Sequence, residues 1–286
     1  MKRADKSNTT KSASIGIDIG GTKMRVALFG EKFKVLEDVK LKTPKTKEEF
    51  EGELTKVVRK FVKKTDEEGR KVVAIGVGFA GSIDPAKSAI TFAPNISFLS
   101  GFSFQGLFQD VWKGDVALMN DVHAALYGEL KLGKAADYKD VICIFIGTGI
   151  GGAVAIDGKL HLGVSGEAGN IGHYLLHAFG PLAGSERHGI LDDFASRLAI
   201  AGTAATFAAK GWAPHLLESA GTDVNNIKSS DLAEAMRSGD KAIEELVRSR
   251  MQIVGIVLSN MYFPSAYLAR LNLRRRSVVA VVEQGL

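Results

Sequence analysis

Two stretches of this chain share one pattern, and the pattern limits the fold more than any other feature. Residues 14–29 read "SIGIDIGGTKMRVALF" and residues 141–156 read "VICIFIGTGIGGAVAI". In each, a run of β-branched and apolar residues breaks at a Gly- and Thr-rich turn and then resumes. Glycine inside a strand pattern weakens it and marks a turn, a bulge or a close backbone approach. A third strand follows each pair. In the first set it is "FKVLEDVKLKT" after the turn at "GEK"; in the second it is "KLHLG" after Asp157-Gly158, a strong hairpin signal. Each half therefore opens with an antiparallel meander and runs on into helices. The period is too long for a solenoid. The expectation is an α/β fold of two similar domains facing one another.

The remaining pattern fits that plan. Phe50, Leu54, Val57, Val58, Phe61 and Val62 form one apolar stripe, which predicts a helix from Lys47 to Lys64. "KVVAIGVGFAG" predicts a buried strand ending in a glycine loop, "DVALMND" a short strand, and "VHAALYGELKLG" a helix ending at Gly133. "LDDFASRLAIAGTAATFAAKG" predicts one helix, Asp231 an N-cap for "LAEAMRSG", and "DKAIEELVRSRMQIVGIVLSNMYF" a long amphipathic helix.

Composition excludes several classes. The 286 residues are 45% hydrophobic and 24% charged, as in a soluble globular protein. The start, "MKRADKSNTTKSAS", has no apolar h-region, and the longest uncharged run, Val141 to Ile156, is too short and glycine-rich for a membrane span. One cysteine, Cys143, sits in an apolar run and allows no internal disulfide, which fits a reducing cytoplasm. The net charge of +5 is carried by the ends. Residues 1–12 and residues 267–286 each hold +3, leaving residues 13–266 at −1. A near-neutral body argues against nucleic acid as a partner, and residues 1–13 are expected to be a flexible basic tail.

The glycine turns carry the chemistry. A strand–Gly–Gly–Thr–strand turn aims several backbone N–H groups into one concavity, which suits an anion such as phosphate. Glycine permits close approach and the Thr hydroxyl adds a donor. An ordinary hairpin turn is the other reading of either loop alone. Two loops in equivalent places could clamp one polyphosphate. Neither is a Walker A motif, and neither opens a helix as a Rossmann fingerprint does. Gly20, Gly21, Thr22 and Lys23 form the first loop; Gly147, Thr148, Gly149 and Gly151 belong to the second. Asp18, just before the first, would repel an anion unless Mg²⁺ lay between, held through its waters; otherwise it serves the turn. In "MNDVHAAL", Asn120 and Asp121 stand where a strand gives way to a helix. Either is a helix cap or, facing a cleft, a general base.

In order and spacing, "IGIDIGGTKMRVAL", "VGFAGSIDP…FAPN", "NDVHAALYGE" and "GTGIGGAVAIDGKLHLGVSGEAGNIGH" resemble the bacterial ROK family of sugar kinases and sugar-responsive repressors. The match runs roughly from Ser14 to Pro264. The resemblance implies the actin/hexokinase-type fold, two ribonuclease-H-like α/β domains around a hinged cleft, here divided at 14–120 and 121–286. It implies transfer of the ATP γ-phosphate to a hexose hydroxyl by a glucokinase-like enzyme, with Mg²⁺, and a homodimer. Asp121 matches the family's catalytic base. Gly81, Asn95, Asn120 and Asp121 match sugar-contacting positions, and His173 matches the family's cleft histidine.

Three departures stand out. The family's "GEIGH" is "GNIGH" here, so Asn170 replaces a carboxylate that accepts sugar hydroxyls and should bind the sugar more weakly or differently. The family's zinc motif "CxCGxxGCxE" aligns with "AGSERHGILD", with Ala183, Ser185 and Ile190 where cysteines stand. His173 alone makes no tetrahedral site, and His177 and His188 do not rebuild one, so no structural zinc is expected. In the same motif Asp192 replaces a sugar-contacting Glu and is one methylene shorter. Finally, the C-terminus lacks the family's adenosine-cupping "GG" loop and reads as truncated. "SVVAVVEQGL" has strand composition, but "ARLNLRRR" is a poor lead into it.

These departures leave two alternatives beside the kinase. One is a degenerate sugar-binding regulator without catalysis. About a dozen residues precede the first strand, too few for a helix-turn-helix. The other is a related ATPase acting on a non-sugar substrate, against which "FAPN" and "GNIGH" speak.

Overall fold

The computed structural model describes residues 11–84, 88–93, 95–177, 189–270 and 277–283. They form two compact units. The first comprises Met1–Ala125 with Gly163–Glu167, the second Leu126–Leu162 with Ala168–Leu286.

The first unit is built on a five-stranded sheet. Its strands are β1 (Lys11–Ile19), β2 (Lys23–Phe29), β3 (Val35–Lys42), β4 (Arg70–Phe79) and, after a small hairpin of β5 (Ser82–Asp84) and β6 (Ala89–Phe92), β7 (Val116–Asn120). The order is β3-β2-β1-β4-β7. The meander β1–β2–β3 is antiparallel, as the turns at "GGT" and "GEK" require, while β4 and β7 run parallel to β1. Lys11–Ala13 pair with Arg70–Val72, so β1 starts inside the stretch read as a tail. Residues 1–10 lie outside the described residues.

Helix α1 (Lys47–Glu67) covers this sheet. Thr46 Oγ1 caps it by accepting from the Glu49 N–H, and Phe50, Leu54, Val57, Val58 and Phe61 are its buried stripe. Phe50 meets Phe98, Phe102 and Phe104 edge-on at 5.8–6.4 Å. Phe104 and Phe108 belong to the short α2 (Phe104–Phe108), which closes the same core. Helix α3 (Asp121–Leu132) leaves the end of β7 and ends before Gly133.

The second unit repeats the plan with four strands. They are β8 (Asp140–Ile146), β9 (Ile150–Ile156), β10 (Lys159–His161) and β11 (Ser277–Glu283), in the order β10-β9-β8-β11. Again the first three form an antiparallel meander and the fourth runs parallel to the first. β11 is the stretch whose basic lead argued against a strand. It pairs along the whole of β8, from Ser277 opposite Asp140 to Glu283 opposite Ile146. Arg274, Arg275 and Arg276 lie outside the described residues.

Helices complete the unit: α4 (Leu191–Ala195), α5 (Arg197–Ala209), α6 (Pro214–Ala220), α7 (Ser229–Ser238) and α8 (Lys241–Arg270). Two differ from the sequence reading. The single helix expected from Leu191 is broken at Ser196, whose backbone is extended (ψ 160°) and whose hydroxyl accepts from the Ala199 N–H as an N-cap. Asp231 is not the N-cap of α7. It stands in the first turn and its carboxylate accepts from the Lys228 N–H at 2.8 Å, so the helix begins at Ser229. Cys143 is fully buried in β8, and burial pushes its thiol up to about 11, the state of an inert core residue. No helix among the described residues is long and apolar enough to cross a membrane.

Candidate functional site

In the first unit, register collects the predicted residues. Asp18 stands opposite Gly78, Ile19 opposite Phe79, and Phe79 opposite Asn120. The three parallel strands thus end together, and ligands of open α/β sheets bind at the carboxyl ends of such strands. From that edge the chain leaves β1 into the Gly20–Lys23 hairpin, β4 into Ala80 and Gly81, and β7 into α3. The hairpin closes on itself, Gly20 N–H donating to Lys23 O at 3.0 Å, and Thr43 Oγ1 holds the Gly20 carbonyl at 2.7 Å. Gly21, Thr22 and Lys23 are exposed.

Two glycines here are demanded by packing. A Cβ on Gly21 would lie 2.7 Å from the Asn95 Cβ, so Asn95 sits directly on the loop. A Cβ on Gly81 would lie 2.4 Å from the Phe92 carbonyl oxygen and 2.5 Å from the Phe79 ring.

Asn120 and Asp121 divide the two roles open to them. The Asn120 Oδ1 accepts from the N–H groups of Val122 (2.9 Å) and His123 (3.3 Å), which makes Asn120 the cap of α3. Its Nδ2 donates to Gly81 O at 3.1 Å, tying β7 to the turn after β4. Asp121 leaves the capping of His123 to Asn120 and accepts a 2.9 Å bond from the Val122 N–H through Oδ1. Its carboxyl is pushed above the ordinary carboxylate range, first by burial and further by the negative charge of Asp18, with the Val122 N–H pulling it partly back. Asp18 is likewise raised by desolvation and partly restrained by the Arg25 guanidinium. Two part-buried carboxyls, both raised by desolvation and one raised further by the charge of the other, form a site that gains from a cation or a proton.

In the second unit, Gly147–Gly149 turn the chain between β8 and β9, Gly147 N–H donating to Gly149 O at 2.8 Å. Gly151 is not in the turn but inside β9, paired with Phe145. Gly152 faces the protein itself. A Cβ there would lie 2.0 Å from Ile171 Cγ2 and 2.3 Å from Gly169 O. On Gly147 the nearest atom would be 3.8 Å away, and Thr148 and Gly149 are exposed. Gly147 thus stands clear, whereas the Asp192 carboxylate lies against Gly149, 3.1 Å from where a Cβ would stand.

Asp192, Asn170 and His173 lie around the same loop. Asp192 Oδ1 accepts a short hydrogen bond from the Ile150 N–H. Burial raises the Asp192 carboxyl, while that N–H and the charge of His173 lower it. Asn170 Nδ2 and His173 Nδ1 are 3.3 Å apart, and His173 is exposed. The aspartate expected to contact sugar thus has one oxygen engaged with the glycine loop. Ala183, Ser185 and His188 of the zinc-motif alignment lie outside the described residues, whereas Ile190 is buried. Sequence reasoning missed one residue, Arg197. Its N–H donates to Gly147 O (3.0 Å) and its Nη2 to Thr148 Oγ1 (3.2 Å). The signal available was an arginine directly after a capping serine, in the helix that follows the loop.

Residues 14–263 match the ROK family. The chain belongs to the ROK family. A ROK glucokinase from Streptomyces griseus, solved in complex with glucose and AMPPNP, is similar with a TM-score of 0.73 and 30% identity, over 95% of this chain and 83% of that one. The structure thus has the ROK, actin/hexokinase-type α/β fold. The glucokinase of Streptomyces coelicolor is 34% identical over 187 residues, covering 65% of this ROK chain and 57% of that protein. The xylose repressor of Caldicellulosiruptor bescii is 24% identical over 256 residues, 89% of this chain and 63% of that protein. The chain thus spans less than two thirds of the length of the curated relatives it matches. Kinases and a repressor both stand among the ROK relatives.

Proposed function

We propose that this protein is an ATP-dependent sugar kinase, phosphorylating a hexose hydroxyl with Asp121 as general base. The observation that carries the reading is the Asp121 carboxyl. It stands at the carboxyl edge of the first unit's sheet beside Asp18, free of the capping that Asn120 performs, and its pKa is raised. A carboxylate whose pKa is lifted is a better proton acceptor for an alcohol than an ordinary one.

In this reading the hydroxyl oxygen attacks the γ-phosphorus of ATP as its proton passes to Asp121. The bond from γ-phosphorus to the bridging oxygen breaks and ADP departs. Asn120, Gly81 and Asn95 in one unit, and Asn170, His173 and Asp192 in the other, are the proposed sugar contacts. The Gly20–Lys23 and Gly147–Gly149 loops, with Gly151 supporting the second, are the proposed phosphate contacts. Among the described residues no group of three or more His, Cys, Asp or Glu could hold a metal by itself. Mg²⁺ is commonly held by one or two carboxylates together with substrate phosphates. Asp18 would hold it through water, and Mg²⁺ would supply charge neutralisation at the phosphates. A cytoplasmic setting and a homodimer belong to the same proposal.

The test is an ADP-release assay with the wild type over a panel of hexoses, repeated with Asp121→Ala. The substitution should cost about 10²-fold or more in kcat. An Asp121→Ala protein that keeps its turnover would remove Asp121 from the mechanism.

A second reading, a sugar-binding regulator without turnover, has one observation in its favour. Asn170 carries no charge and Asp192 is engaged with the Ile150 N–H, so the second unit offers the sugar fewer free carboxylate oxygens. Calorimetric sugar binding with no ADP formed at any Mg²⁺ concentration would favour it.

A further inference from the structure

We propose that Arg197 binds a phosphate of the nucleotide at the second glycine loop, a role that rests on the kinase reading above. Arg197 is the first residue of the 13-residue helix α5, directly after the capping Ser196. Its guanidinium donates from Nη1 to Ile227 O at 3.2 Å and from Nη2 to Thr148 Oγ1 at 3.2 Å. A guanidinium has five N–H donors in a planar fork. Among the described residues Arg197 forms no ion pair, and it is half-buried.

Two electrostatic costs meet at this side chain. A cation at the first position of a helix stands at the positive end of the helix dipole. A half-buried charge also loses part of its hydration, which an opposite charge would restore. No acidic residue occupies the first turn of α5 to relieve either cost. An anion between the guanidinium and the glycine loop relieves both. The loop offers it Thr148, while the Asp192 carboxylate lies against Gly149. Thr148 Oγ1 accepts from Arg197, so its own O–H is free to donate outward, and Thr148 and Gly149 are exposed. The planar fork matches phosphate oxygens as a lysine cannot. The Arg197 N–H bond to Gly147 O fixes the loop and the guanidinium as one piece.

The experiment is calorimetric titration of Mg²⁺ with the non-hydrolysable analogue AMPPNP into the wild type and into Arg197→Met, which keeps an unbranched stem and drops the charge. Circular dichroism at the assay temperature confirms that both are folded. Where the Met variant does not fold, Arg197→Gln takes its place, with the same loss expected and equal affinity again overturning the inference. The inference predicts affinity lower by roughly tenfold or more in Arg197→Met, the range for hydrogen bonds to a charged group, and less in Arg197→Lys. It also predicts that added guanidinium ion at millimolar concentration restores part of the lost affinity, which a merely structural role would not allow. Equal affinity in wild type and Arg197→Met overturns the inference, as does a loss that guanidinium leaves unchanged. A wild type that binds no AMPPNP contradicts the kinase reading itself and the inference falls with it; the wild-type titration alone reveals that case.

Discussion

The two glycine loops share a topology and differ in their charge. Each joins the first two strands of an antiparallel meander whose first strand has a parallel neighbour on its other side. The first loop is flanked by carboxylates, Asp18 before it and Asp121 at the end of β7, both raised in pKa. It closes through its own backbone, is held by Thr43 and is packed on by Asn95. The second loop has the apolar Ile146 before it. It is held by a later segment of its unit, through Asp192 on the Ile150 N–H and Arg197 on Gly147 and Thr148. Topology alone therefore makes the turn. The surroundings of the turn then differ: two carboxylates flank the first, whereas a carboxylate and a guanidinium both reach the second.

The largest structural effect is expected within "GTGIGG". Gly152→Ala puts a methyl carbon 2.0 Å from Ile171 Cγ2 and 2.3 Å from a backbone oxygen. Overpacking of this kind costs about 1–3 kcal/mol or more, read as a lower midpoint in urea denaturation. Gly147→Ala meets nothing closer than 3.8 Å and should leave the midpoint unchanged while raising KM for ATP. Equal destabilisation by the two would show that the loop's glycines are all structural.

A smaller effect is expected at the first loop. Thr43→Val removes the hydroxyl that holds Gly20 O and should cost roughly 0.5–1.5 kcal/mol, the net worth of one such bond. The smallest is at Arg25, whose bidentate pair with Asp38 is well formed but solvent-exposed. Arg25→Ala should leave the thermal midpoint within the scatter of replicate melts, because exposed ion pairs contribute little.

Much of this was legible in the sequence, for identifiable reasons. Both meanders could be read because strand runs of β-branched residues were punctuated by glycine, and the stripe from Phe50 to Phe61 announced α1. Asp121 could be singled out because it follows a strand and starts a helix. What stayed hidden depended on distance in sequence. That Asn95 seats on Gly21, and that Asp192 reaches Ile150, are contacts 74 and 42 residues apart. Nothing local signals them. The partner of β11 was hidden for the same reason, since pairing with β8 spans more than a hundred residues and outweighs the basic segment before it. The helix break at Ser196 was a local signal misread. Serine caps helices more readily than it continues them.

If Asp121 is the proposed base, the first unit holds it at a cost in stability. Burial and Asp18 raise its pKa in the folded state. Between the unfolded and the raised folded value the native state binds more protons, so this residue's contribution to stability falls as pH rises through that window. Above it, ionised Asp121 is a standing penalty. Asparagine removes the charge and keeps an oxygen to accept the Val122 N–H. The most direct measurement is therefore ADP formation and thermal midpoint of Asp121→Asn beside the wild type, across pH 4 to 8. Turnover is expected to be lower by about 10²-fold or more, together with a higher midpoint whose margin widens as pH rises. A variant that keeps its turnover, or whose midpoint falls below the wild type at neutral pH, would contradict that role for Asp121.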